Sequence, residues 1–234
     1  MITSWATNEK VKPMVENLPP PIFIADAIGL DFLNSVAVPV DTEVEWIGSG
    51  KDLVAWLQAA QIVPPEILAA LRKTAMPGEF DTVASQARKL REWFRGFVHA
   101  HKGKPLRPKT LQELEPLNRI LIRDEEFGQI IARNTSRSGK SKQDTHGDRP
   151  VSGLVWSRQR RWRSPDALLL PIARAMADLV CDDDFTHVKA CEGLTCTLLF
   201  MDRSQHGRRW CSMSICGNRA KQAAHRKRVH ERHK

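Results

Sequence analysis

Four cysteines in the last quarter of the chain, Cys191, Cys196, Cys211 and Cys216, follow the formula C-x4-C-x14-C-x4-C. Two pairs with equal short gaps, separated by a hairpin-sized insert, suit a tetrahedral four-thiolate zinc site. Each short loop brings two sulfurs to one ion, and the insert lets the pairs meet. Five cysteines in 234 residues do not make a disulfide framework, and thiolate donors select zinc or an iron–sulfur cluster. Four plain buried thiols are the alternative; the paired spacing favours a metal. Cys181 lies outside the pattern and reads as an ordinary thiol. His206 and His225 could replace a sulfur, but four cysteines already complete the shell. A closed shell leaves no place for water, so the expectation is one structural zinc ion without hydrolytic chemistry.

The flanking residues extend this reading. Residues 197–201 and 208–212 read as strands joined by a polar turn, 202–207. Residues 218–230 contain no Pro or Gly and are rich in Ala, Arg, Lys and Gln, which predicts a helix. Knuckle, hairpin and helix, with the last cysteine in the first helical turn, make a treble-clef zinc finger. Its helix N-terminus is expected to aim amides at the sulfurs. So small a unit has little core, and zinc supplies on the order of 10 kcal/mol of folding energy in such fingers.

The rest of the chain reads as mostly helical with a small antiparallel sheet, an α+β organisation. Residues 1–21 form a flexible N-terminal segment ending in Leu-Pro-Pro-Pro, and 22–24 read as a short strand. Apolar spacing predicts helices over 26–36, 52–60, from 64–65 onward, 81–100, 109–122 and 168–180. Ser49 or Asp52 is expected to cap the second, and Ser164 with Pro165 to open the last. Residues 127–132 and 153–162 read as a hairpin around a mobile loop, 134–150. The acidic run 182–184 marks a boundary between a domain over 22–183 and a finger over 184–234. Strand and helix do not alternate, which disfavours a doubly wound parallel sheet.

The net charge of +9 is unevenly spread. Ten Lys/Arg face two Asp/Glu from Asp202 onward, and nine face two between Arg133 and Arg163. The middle block reads as a solvated segment. The C-terminal block reads as a polyanion-binding element, because phosphates reward clustered cations through counterion release. No signal-peptide core and no membrane span are visible, so a cytoplasmic protein without membrane contact is expected. H-E-x-x-H, G-x-S-x-G and G-x-G-x-x-G are all missing, and Gly139-Lys140-Ser141 lacks the rest of a P-loop. No enzyme activity is expected. Asp31 and Asn34, one helical turn apart, could face one small-ligand pocket; capping or a buried hydrogen-bond network is the stronger reading.

The finger resembles the CGNR zinc finger, named for Cys216-Gly217-Asn218-Arg219, with Arg208 to Met213 and Lys221 also matching. Residues 28–36, IGLDFLNSV, resemble the opening signature of the ABATE domain, as does the helix from Leu169 with Pro171 and Ala173. These families are described as candidate stress-induced transcription regulators. The resemblance implies DNA binding through the finger and a ligand-responsive N-terminal domain. Along the last helix Asn218, Lys221, His225 and Arg228 share a face, with Arg219, Gln222 and Arg226 beside them. With Arg208 and Arg209 they form the expected nucleic-acid set, although Arg208, Arg209 and Arg219 equally suit balancing the thiolate charge. An RNA-binding or ribosome-associated zinc protein is the alternative, since the same cations suit any phosphate chain.

Overall fold

Packing begins from the apolar helix stripes. The computed structural model describes residues 18–132 and 153–232, so the 134–150 loop and the first part of the N-terminal segment lie outside the described residues. Helices α1 (Ile28–Leu33), α2 (Gly50–Ala59), α3 (Pro65–Thr74), α4 (Glu79–His101), α5 (Glu115–Leu121) and α6 (Leu169–Cys181) form the body. The stripe of α4 (Val83, Ala87, Leu90, Phe94, Phe97 and Val98) is buried, as are Leu53, Trp56 and Leu57 of α2 and Leu68 and Leu71 of α3. The start of α2 is a capping box: Ser49 Oγ accepts from the Asp52 N–H at 3.2 Å, and the Asp52 carboxylate accepts from the Ser49 N–H at 3.0 Å. Gly29 lets α1 cross α6 closely, since a Cβ there would lie 2.7 Å from the Ala175 carbonyl oxygen.

Among the described residues, strands come in three two-stranded antiparallel ribbons: β1 (Val36–Ala37) with β2 (Val44–Glu45), β3 (Glu126–Ala132) with β4 (Leu154–Arg160), and β5 (Val188–Ala190) with β6 (Leu199–Met201). Arg91 of α4 is buried and clamps the first ribbon. Its guanidinium meets Glu45 at 2.6 and 2.8 Å and Ser35 Oγ at 2.9 Å.

Four local expectations are corrected. Residues 22–24 form no strand; the Ile24 N–H donates to the Asp31 carboxylate at 3.0 Å instead of to a ladder. The expected helix 109–122 divides into a 3-10 stretch, Pro108–Leu114, and α5, because Pro116 has no N–H to continue the ladder. Residues 165–168 are likewise 3-10, and the Ser164 hydroxyl bonds the Asp166 carboxylate rather than a backbone N–H. Residues 208–212 form no strand: Asp202 holds the Arg208 N–H at 2.8 Å across the 205–206 turn, and the stretch that follows is irregular. The partner of residues 199–201 is β5, which places the first cysteine pair in the connection of the β5–β6 hairpin. A treble clef's order of knuckle, loop and helix remains, without the second hairpin.

The hydrophobic core is continuous from the helical body into the finger. Leu30, Phe32 and Leu33 of α1 share one buried cluster with Phe185, Val188, Leu198, Phe200, Cys191, Cys211 and Cys216. Hydrogen bonds reinforce the seam: the Met201 N–H donates to the Ala25 oxygen at 2.8 Å, and the Val38 N–H donates to the Thr197 hydroxyl at 2.9 Å. Asn34 closes it: its amide donates to the Leu199 oxygen at 2.8 Å and accepts from the Leu199 N–H at 2.9 Å, and the residue is 1% exposed. Asn34→Ala leaves two buried backbone groups unpaired, so unfolding free energy should fall by about 2 kcal/mol or more. Urea titration of the zinc-loaded protein measures this, and a loss below about 0.5 kcal/mol contradicts the role.

Candidate metal centre and nucleic-acid interface

The four sulfurs converge. Sγ atoms of Cys191, Cys196, Cys211 and Cys216 all lie within 4.8 Å of one another, and Cys196 and Cys211 are 3.9 Å apart. A tetrahedral zinc with Zn–S bonds of about 2.3 Å asks for S···S separations of about 3.8 Å. The donor set therefore fits the ion in count, type and spacing, and the centre is a structural site for one zinc ion. Neither His206 nor His225 joins the cluster.

The knuckle around the first pair depends on Gly193. A Cβ there would stand 3.0 Å from Cys216 Sγ and 3.0 Å from Cys196 Cβ. Backbone amides face the sulfurs: Gly193 N and Cys211 N donate to Cys191 Sγ at 3.4 and 3.3 Å. These donors come from the two loops. The first amides of the last helix, α7 (Asn218–Arg232), do not supply them as expected. Cys216 sits in a wide turn, Met213–Gly217, whose amides at Cys216 and Gly217 bond the Ser212 oxygen. The cation beside the cluster is Arg219, whose guanidinium meets Cys216 Sγ at 3.3 Å, the Ile215 oxygen at 2.8 Å and the Pro39 oxygen at 3.0 Å.

Acidities within the cluster show why a metal belongs there. Hydrogen bonding, above all with Cys211, holds the Cys196 thiol down to about 5. The bond with Cys196 and then burial push the Cys211 thiol far up. Burial, opposed by Arg219, pushes Cys216 up to about 11. One thiolate forms readily and makes the next harder. A divalent cation removes that mutual repulsion and deprotonates all four.

A sequence profile described as "Putative stress-induced transcription regulator", the ABATE family, matches residues 26–183. The chain belongs to the ABATE family. The CGNR zinc finger profile matches residues 187–229 of this ABATE-family chain. None of the curated proteins matches it. Both matched families are regulatory or zinc-finger families, not enzyme families. Among the described residues, no helix is long and apolar enough to cross a membrane.

Within the ABATE region, Asp31 and Asn34 are both buried and hydrogen-bonded to main-chain groups. Asp31 is 4% exposed and accepts from the Ile24 and Ala25 N–H groups at 3.0 Å each, while Asn34 is committed to Leu199. Both side chains serve the buried network, which is the alternative that their spacing also allowed. Clefts of about 380 and 440 Å³ lie elsewhere, between α6 and the β3–β4 ribbon, and share Glu126, Arg174 and Asp178.

The cations expected to meet nucleic acid divide into two groups. Arg208 stacks over Phe200 at 4.3 Å and pairs with Asp26 at 3.2 Å; Arg209 pairs with Glu192 at 2.6 Å and lies over Trp210. Together with Arg219 they brace the finger. Asn218, Lys221, Gln222, His225, Arg226 and Arg228 are exposed along α7, and Lys221, Arg226 and Arg228 make no ion pair among the described residues. Gly193 and the Pro39 carbonyl are functional groups that the sequence reading left unnamed. A glycine between paired cysteines is a usable signal for the first, whereas nothing local marks the second.

Two tests follow from this geometry. Gly193→Ala should weaken zinc by about tenfold or more while all four thiols remain, read by competition with a chromogenic chelator. Equal affinity contradicts the tight knuckle. Burial raises the Asp31 carboxyl to about 6, against its backbone hydrogen bonds. An acid whose folded pKa lies above its unfolded value gives stability that is fully present below the unfolded value. That stability is lost as pH rises through the folded value. Asp31→Asn keeps an acceptor for the two amides, so its stability relative to wild type should increase from about pH 4 to about pH 6 and level off above. A pH-independent difference refutes the assignment.

Proposed function

We propose that this chain is a DNA-binding transcription regulator whose zinc-organised finger presents α7 to the duplex. The observation that carries the proposal is the state of α7. It extends for 15 residues from the zinc turn, packs chiefly against that turn, and carries exposed cations that no carboxylate neutralises among the described residues. A short polar helix is marginal alone because its first turn is costly to form. The metal-held turn at Met213–Gly217 supplies that first turn. Balancing the zinc–thiolate charge explains Arg219 and does not explain Lys221, Arg226 and Arg228, which lie farther along the helix. Contacts from these cations to phosphates would orient the helix, with Asn218 at its start placed to read a base edge.

Control by a small ligand belongs to the same proposal. Segment 34–40 is a route from the helical body to the finger. Asn34 bonds Leu199, Val38 bonds Thr197, Pro39 accepts from Arg219, and Val40 accepts from Thr195. A ligand that displaces this segment alters the brace on Cys216 directly. The continuous core disfavours a rigid swing of the finger as a whole.

The test is binding of the zinc-loaded protein to duplex DNA and to structured RNA at matched salt. Duplex binding should weaken steeply as salt rises, and Arg226→Glu with Arg228→Glu should reduce affinity by about tenfold or more and flatten the salt slope by about two. Undiminished binding by the double variant contradicts α7 as the contact. A preference for RNA supports the ribosome-associated alternative instead.

A further inference from the structure

The β3–β4 ribbon carries a surface that the finger does not account for. Its register places Ile130 opposite Trp156 and Gly128 opposite Arg158, so these four share one face. Trp156 is 70% exposed and Ile130 65%. The indole covers Gly128, where a Cβ would fall 1.8 Å from Trp156 Cζ2. Glycine in mid-strand weakens a ribbon, and it fits where something lies close against the backbone. Here it makes room for a large ring held open to solvent. Arg158, opposite Gly128 on the same face, is exposed and without an ion pair among the described residues. Its neighbours are otherwise engaged: Arg160 is bound by Asp124 and Glu126, and Arg163 by Glu125.

We propose that this face is a second DNA-contacting element, with Arg158 on a phosphate and Trp156 making apolar contact inside a groove. The inference rests on the DNA-binding reading above. Charge decides the occupant. Arg158 is an exposed cation that no carboxylate neutralises among the described residues, so a polyanion supplies the counter-charge that a second copy's Arg158 does not. A two-stranded ribbon has the width that a major groove admits. Position agrees as well. Glu126 and Arg160 at the ribbon's base share a cleft with Ala27, Ile28 and Asp183. Arg203 of the finger's turn bonds Asp183 at 2.6 Å, and Arg208 pairs with Asp26 at 3.2 Å. The ribbon's base and the finger's 202–208 stretch therefore adjoin the same part of the body.

The experiment measures affinity and salt slope of the full zinc-loaded chain for a mixed-sequence duplex of about 30 base pairs. Wild type is compared with Trp156→Ala, Arg158→Gln, their combination, and the α7 pair Arg226→Glu/Arg228→Glu. Both ribbon side chains are exposed, and zinc content with circular dichroism checks that each variant is folded; Trp156→Phe is the milder substitute if one is not. The combination should bind about tenfold more weakly, with Arg158→Gln lowering the salt slope by about one and Trp156→Ala leaving the slope unchanged. Ribbon variants at full affinity beside a weakened α7 variant overturn the ribbon and leave the finger standing. A wild type that binds no duplex overturns both. A wild-type dimer in analytical ultracentrifugation that Trp156→Ala converts to monomer assigns the face to a second copy and refutes this inference.

Discussion

Four thiolates within 4.8 Å of one another cannot coexist without a cation, and the finger's geometry depends on that repulsion being cancelled. The cysteines approach because two short loops and a wide turn bend around one point. Zinc makes that approach favourable. Where the ion sits, the turn Met213–Gly217 is fixed, and α7 starts in a defined direction from it. The metal thus converts a polar, unpacked sequence into a directed helix.

The finger is joined to the ABATE region by more than a covalent link. Three of the four cysteines are buried in the same cluster as α1, and Asn34 holds β6 through both backbone groups of Leu199. Arg219 touches a zinc ligand and the Pro39 carbonyl at once. Loss of metal therefore disturbs the seam as well as the finger, and displacement of segment 34–40 disturbs the metal site. Shared packing and shared hydrogen bonds join the two family regions.

The basic residues of the chain fall into two physical groups. Arg208, Arg209, Arg219 and Arg160 are absorbed by carboxylates, carbonyls, rings or a sulfur, and they stiffen the structure. Lys221, Arg226, Arg228 and Arg158 remain exposed. Net charge alone does not separate these groups, because it counts both equally. Only the positions of the acidic partners do.

Much of this was legible in the residues. Cysteine spacing announced the metal, since ligand geometry is set by short loops. The stripe Val83, Ala87, Leu90, Phe94, Phe97 and Val98 announced α4, since burial of one helix face requires it. A cap at Ser49 or Asp52 and the pairing of β3 with β4 were equally local, and the structure uses both residues in one capping box. Pro116 was present to be read, and its break in the helix was missed because apolar spacing continued across it. The partner of β6, the service of Asp31 and Asn34 in the seam, and the sorting of arginines were decided by tertiary structure. Each depends on a group distant in sequence: Leu199 is 165 residues from Asn34, and Pro39 is 180 from Arg219. Local patterns carry information about a turn, a face or a ligand pair. Contacts across such separations exist only once a common core has brought the segments together.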